Sequence, residues 1–379
     1  MTRSLRPSRA GGAALVLIVC LGAPMGTAAQ THPDQPSPAP PASEYPSLRL
    51  SGFGNVDVAV QNKSEGSRGF SEGQFVLHLA SALSPRVNFF GELSFTPRTD
   101  AGTGSPQATG FNAEVERAII RFDHSDRLKV SFGRYHTPIN WWNTAFHHGA
   151  WLQTTISRPE MTQFGGRFIP VHFVGALVEG GVPAGGVNLN YQAGIGNGRG
   201  NVISRGGDAG DNNARPAYVL NAFAKPDQLF GLQVGGSFYL DRVSQPGLPE
   251  VDERIAAAHA VWQREDPEVI AEIADVRHRA VGGPSTSSNV AYYVQVAYRL
   301  PSAARLWKPY YRFEHIDIDA TDPVFDIATN AVPNLDGSTA GVRFDMSTYA
   351  AIKSEVRSRR RVAGQPRTNG WFLQICFTF

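Results

Sequence analysis

The last nine residues, Trp371-Phe-Leu-Gln-Ile-Cys-Phe-Thr-Phe379, alternate strictly in character. Trp371, Leu373, Ile375, Phe377 and Phe379 share one face of an extended strand, and Phe372, Gln374, Cys376 and Thr378 share the other. Successive strand residues point to opposite faces, so one side of this strand is wholly apolar. The same grammar recurs along the chain. Leu48, Leu50, Val56, Val58 and Val60 oppose Arg49, Ser51, Asn55 and Asp57, and Val290, Tyr292, Val294, Val296, Tyr298 and Leu300 oppose Ala291, Gln295 and Arg299. Period-2 runs near 48–60, 74–83, 87–95, 117–122, 128–133, 171–179, 187–195, 217–224, 232–242, 255–263, 269–277, 290–300, 307–318, 339–346, 350–357 and 371–379 predict about 16 strands. Two are poorly phased: 255–263 is rich in alanine, and 269–277 carries charge on both faces.

Connections alternate in length. Seven are tight and rich in Pro, Gly, Ser and Asp, and eight are longer, at about 61–69, 98–110, 136–170, 197–216, 243–253, 280–288, 320–337 and 358–369. A transmembrane barrel with both termini periplasmic has short turns on that side and long loops outside. An even strand number then leaves one more loop than turn. In lipid every backbone group must be paired, and a closed sheet achieves that without an edge. A soluble propeller would need a repeat of about 40–50 residues, and none is visible. At about 22 residues per strand and connection, the chain fits strands of roughly 9–11 residues around an aqueous lumen. The expected fold is therefore an all-β transmembrane antiparallel barrel over residues 48–379.

The other end of the chain agrees. Arg3, Arg6 and Arg9 precede the apolar run from Ala13 to Leu21, and Thr27-Ala28-Ala29 offers a cleavage site before Gln30. This reads as an export signal over residues 1–29, too short to span a bilayer. Residues 30–47 are proline-rich and read as an extended periplasmic leader. Hydrophobic residues make up 42% of the chain, and only the alternation separates this from a soluble composition. With Cys20 in the signal, Cys376 is left as a single lumen-facing thiol with no partner for a disulfide. A net charge of +2 gives no case for nucleic acid.

The third and longest loop, His136–Pro170, holds Trp141, Trp142, Phe146, Trp151, Phe164 and Phe168. So many aromatics require burial, which folding into the barrel mouth would supply. Here the chain resembles bacterial porins, whose third loop folds inward and constricts the channel. The run from Gly133 to Pro138 with the tryptophans after it is similar to stretches of the phosphate-selective porin O and P group. The terminal strand, through Trp371, Leu373, Ile375, Phe377 and Phe379, resembles the assembly signal of outer-membrane barrels. These resemblances imply an outer-membrane location, contact with lipid and the barrel assembly machinery, and a homotrimer. The O and P group holds phosphate with a lysine cluster in this loop, whereas this chain has no lysine between Lys129 and Lys225.

His136, His147, His148, Arg158, Glu160 and Arg167 are the candidate constriction residues, and strand parity turns Arg117, Arg121, Arg299, Arg312, Arg343 and Lys353 into the lumen. Asp57, Glu92, Glu314, Asp345 and Glu355 interleave with them, so the cations act either as a weak anion filter or as a salt-bridged wall. The histidines invite a metal, but zinc needs three or four converging ligands, and neither metal nor cofactor is expected. No G-x-S-x-G, H-E-x-x-H or P-loop pattern is present. The expected function is a passive diffusion channel for small hydrophilic solutes or ions. The alternatives are a barrel acting as adhesin or receptor through its loops and, further off, an outer-membrane enzyme.

Overall fold

In the computed structural model, sixteen antiparallel strands pair each with its sequence neighbour, and β1 closes on β16. The structure describes residues 45–61, 68–98, 107, 110–146, 149–163, 166–328, 330–361 and 364–379, so the export signal and nearly all of the leader lie outside the described residues. The first half of the wall is β1 (Ser47–Gln61), β2 (Gly69–Ala82), β3 (Val87–Pro97), β4 (Phe111–Ser125), β5 (Leu128–His136), β6 (His172–Val182), β7 (Leu189–Asn197) and β8 (Ala217–Ala224). The second is β9 (Leu232–Val243), β10 (Val251–Gln263), β11 (Glu268–Ala280), β12 (Ser287–Ala297), β13 (Trp307–Asp317), β14 (Leu335–Asp345), β15 (Ala350–Arg360) and β16 (Thr368–Thr378). One short helix, α1 (Trp142–Phe146), lies in the third loop.

Closure rests on the terminal strand. β16 runs in register with β1 from Phe53 opposite Thr378 to Gln61 opposite Gly370. Beyond it, Gly52 and Phe379 exchange two backbone hydrogen bonds of 3.0 Å. A Cβ at position 52 would sit 2.6 Å from the Phe379 ring, so glycine is required where that ring lies across the strand and stacks on Phe75.

Alternation sorts the two faces as the sequence implies. On β12, Tyr292, Val294 and Val296 are exposed on the outer surface, while Ala291, Tyr293 and Gln295 are buried inside. On β16, Ile375 and Phe377 face out, and Gln374 and Cys376 face in. A bulge in β4, where Glu92 pairs with Arg117 and Leu93 with Val115, keeps the faces in phase by giving both Glu116 and Arg117 to the lumen.

Two details depart from the sequence reading. β10 and β11 extend further toward the loops than alternation suggests, to Val251 and Ala280. Charged Glu253 and His278 would ordinarily signal a strand end, but here they face inward and pair with each other at 3.0 Å. Gln295 falls on the lumen face, where alternation alone implies contact with water, yet it is fully buried, 3.4 Å from Arg312 beneath the third loop. An arginine there would meet a like charge. The better water-side control is Gln192 on β7, half-buried beside Glu179 and lining a lumen recess of about 640 Å³.

Val294→Arg should therefore destabilise the barrel by about 2–4 kcal/mol, as arginine near the middle of a lipid-facing strand does. Gln192→Arg should cost far less. Equal losses in urea-unfolding experiments in lipid vesicles would mean that the outer face is not in contact with lipid.

Candidate functional site: a lumen narrowed by the third loop

The third loop (L3, residues 137–171) enters the barrel and crosses it. Its chain turns inward at Asn140, whose N–H donates to Ser237 Oγ on β9 at 2.9 Å. The N–H groups of Trp141 and Trp142 both donate to Glu272 Oε1 on β11 at 2.7 Å, which fixes the start of α1. Trp142 is fully buried and meets Phe146 and Tyr293 edge-on. Trp142 thus finds the burial that the loop's composition demands against β11 and β12, Trp151 lies beneath Arg343 of β14 and Phe168 stacks on Phe325, while Phe164 lies outside the described residues.

The loop then reaches the opposite wall, where its backbone would be left without partners unless the strands supplied them. Glu355 on β15 accepts from the N–H groups of Ile156 at 2.9 Å and Ser157 at 3.2 Å. Tyr310 lies across Gly341 to donate to the same carboxylate at 3.0 Å. Lys353 donates to the carbonyls of Ala150, Gln153 and Thr155. Arg343 donates to Trp151 and Gln153, and Arg312 to Ser157 and Arg158. Glu160 is clasped by Arg359 at 3.3 Å and Arg361 at 3.1 Å, and its N–H donates to Glu314 at 2.7 Å.

Arg312, Arg343 and Lys353 are thus occupied in holding the loop. The other three lumen cations have carboxylate partners: Arg117 with Glu92, Arg121 with Asp123 and Glu179, and Arg299 with Glu265 and Asp345.

The candidate constriction residues do not form one ring. His136 is buried on the wall 3.5 Å from Glu92, and its ring lies 5.7 Å from that of His172, which faces Glu116 at 2.8 Å. Among the described residues no group of three ligands could hold a metal ion. His147 and His148 lie outside the described residues. Arg167 is exposed and donates to the Ala331 carbonyl, away from Glu160. Arg158 is buried, and burial draws its guanidinium down to about 9 against the opposing pull of Glu116, which still leaves it cationic at neutral pH.

What remains open beside L3 is a cavity of about 350 Å³ against β15, β16, β1 and β2. Its polar lining includes Asn55, Asp57, Gln163, Arg158, Arg357 and Gln374. The Arg357 guanidinium lies 3.7 Å above the Phe372 ring, and Asp57 accepts from Asn55 at 2.8 Å and Gln374 at 2.9 Å.

The opposite side of the lumen is filled by two further loops, L4 (residues 198–216) and L7 (residues 318–334). Arg199 of L4 is buried, bonded to Glu253 at 2.9 Å and to the L3 carbonyls of Gly166 and Phe168. Asp322 of L7 accepts from Ser287 and Asn289, each at 2.6 Å, and pairs with His278 at 2.8 Å. Burial by itself would raise the Asp322 carboxyl, but His278, Ser287 and the Phe325 N–H outweigh it and hold the group well below the usual carboxylate range.

Sequence reasoning missed Arg199, Asp322, Glu272 and Tyr310. Glu272 alone carried a signal, as an acid placed at an inward position between Ile270 and Ala274.

No family model and no curated protein matches the sequence. Solved structures do match. An anion-selective porin from Comamonas acidovorans has a TM-score of 0.61 at 14% identity, over 88% of this chain and 100% of that one. The fold is that of an outer-membrane porin. A loop L8 deletion mutant of OmpT, an outer membrane protein of Vibrio cholerae, has a TM-score of 0.58 at 12% identity, over 89% of this chain and 100% of that one. The outer membrane channel DcaP of Acinetobacter baumannii gives 0.59 at 12%, over 88% and 98%. In this porin fold strand side chains anchor the inward third loop to the wall.

Glu355→Ala should release that hold. Each buried N–H left without an acceptor costs about 1–3 kcal/mol, so amide exchange at Ile156 and Ser157 should quicken by about tenfold or more. Unchanged exchange at both amides would show that Glu355 does not pin the loop.

Proposed function

We propose that the protein is a passive diffusion channel of the bacterial outer membrane, carrying small hydrophilic solutes and ions with a weak preference for anions. The observation that carries this reading is the cavity beside L3, about 350 Å³ in volume, whose charged lining is Asp57, Arg158 and Arg357. Two cations against one carboxylate give its lining an excess of one positive charge, and the Arg357 guanidinium is held there by Glu355 at 2.5 Å. A charged ring at such a passage sets ion preference. The similarity to an anion-selective porin fits the same reading. Phosphate selectivity is not part of the proposal, because Arg312, Arg343 and Lys353 are bound to loop carbonyls.

In this reading residues 1–29 direct export, residues 30–47 form a periplasmic leader, and the Phe379-terminated strand is what the barrel assembly machinery recognises. The active form is a homotrimer, as in the solved trimer form of the Vibrio protein.

Reversal potential in a salt gradient across a planar bilayer tests the proposal. A unit charge about 8 Å from a passing ion in 0.1 M salt attracts an anion and repels a cation by about 0.2 kcal/mol each, which is about twofold in permeability ratio. Near 0.1 M salt the Debye length is about 10 Å, so the effect survives screening. Arg357→Gln should lower the anion-to-cation ratio by about that factor, and Asp57→Asn should raise it. If neither moves the ratio while conductance stays normal, ions do not pass through this cavity.

A further inference from the structure

The outer surface breaks its own apolar rule at the loop ends of β9–β11. Arg242 on β9, Asp252 and Arg254 on β10, and Asp275, Arg277 and Arg279 on β11 alternate with the buried inward residues Asp241, Glu253, Val276 and His278, so they point away from the lumen. Arg215, just before β8, joins them at 3.8 Å from Asp252. Arg277 and Arg279 are 59% and 48% exposed.

The carboxylates do not match these cations. Asp252 is shared by Arg242 at 2.7 Å, Arg279 at 3.4 Å and Arg215. Asp275 is taken by Arg277 and Ser288, and Glu250 by Arg242. Among the described residues no carboxylate pairs with Arg254, which is exposed. Five arginines against three carboxylates leave an excess of two positive charges.

Below the charges the wall turns apolar. Phe238 and Ala256 floor one groove of about 440 Å³, and Tyr218 and Leu240 floor an adjoining one of about 350 Å³. The two share Asp252, Arg254 and Arg279 at their rims.

Arginine on the lipid face of a barrel costs about 2–4 kcal/mol at mid-membrane and about 0–1 kcal/mol near the interface. The strand ends place this cluster at the interface, on the side of the long loops. Guanidinium groups bind phosphate through paired N–H donors. A cationic rim over an apolar floor fits a lipid that holds its phosphate at headgroup level and lays an acyl chain down the wall.

We propose that this patch binds the phosphate monoester of an outer-leaflet glycolipid. The proposal rests on the barrel spanning the outer membrane and is independent of what the lumen carries.

The test uses the full-length protein in neutral detergent, wild type and the triple variant Arg254→Gln, Arg277→Gln, Arg279→Gln. Each is titrated with diphosphorylated lipid A, with dephosphorylated lipid A and with inorganic phosphate, and bound lipid is read by native mass spectrometry. Heat-modifiable gel mobility and bilayer conductance check the fold, and both should equal wild type because these side chains face away from the lumen. If the triple variant fails that check, Arg254→Gln alone gives the readout without breaking an ion pair. Wild type should bind the phosphorylated lipid about tenfold more tightly than the variant does. It should discriminate against the dephosphorylated lipid, and millimolar inorganic phosphate should not displace the bound one. Equal binding by the variant would overturn the proposal, as would equal affinity for the dephosphorylated lipid or displacement by inorganic phosphate. Loss of the oligomer in the variant with lipid binding intact would also overturn it, making the patch a contact between copies.

Discussion

The pairing of β1 with β16 is the constraint on which the rest of the molecule depends. A bilayer offers no hydrogen bonds, so an open edge there would leave a row of unpaired N–H and C=O groups. Closing the ring removes that edge and at the same time encloses a lumen. Everything inside must then be satisfied by protein or water. The last residue takes part directly, since Phe379 exchanges backbone hydrogen bonds with Gly52 and its ring stacks on Phe75. One terminal strand therefore serves both the closure and the apolar belt.

Enclosure explains the chemistry of the wall. L3 crosses the lumen without a strand partner for most of its length, so its carbonyls and N–H groups need donors and acceptors from side chains. Arg312, Lys353 and Glu355 are all but inaccessible and are bonded to that loop, as is Arg343 beside them. Removing one partner of such a buried charged network costs about 3–5 kcal/mol, whereas an exposed pair is worth about 0–1 kcal/mol. The lumen cations are therefore structural first. Among the described residues, the charges that border the remaining opening are Asp57, Arg158 and Arg357.

Much of the barrel was legible because it depends on local alternation. Val294 out and Tyr293 in follow from a period of two, and the terminal aromatic face needs nothing else. The inward path of L3 was also legible, because Trp141, Trp142 and Phe146 cannot be left in water. What stayed hidden depends on partners distant in sequence. Arg199 reads as one more loop arginine until Glu253 and the L3 carbonyls meet it. Asp322 reads as a turn residue until Ser287, Asn289 and His278 close around it. The poorly phased strands have the same explanation. β10 and β11 show alanine and arginine to the outside, and their inner faces, Ile255, Ile270, Ala274 and Val276, are buried under the loops that fill that half of the lumen. Gln295 misled for the converse reason: parity sets the face but not whether water reaches it.

The central claim is that solute passes beside L3, through the opening against β15, β16, β1 and β2. Ser71 on β2 borders that opening, while the native thiol Cys376 is fully buried and donates toward the Ala351 carbonyl. Single-channel current through the Ser71→Cys variant, recorded before and after a bulky cationic thiol reagent, tests the claim directly. The account predicts a stepwise loss of conductance in the variant and none in the wild type. Complete labelling of the cysteine with unchanged conductance would contradict it.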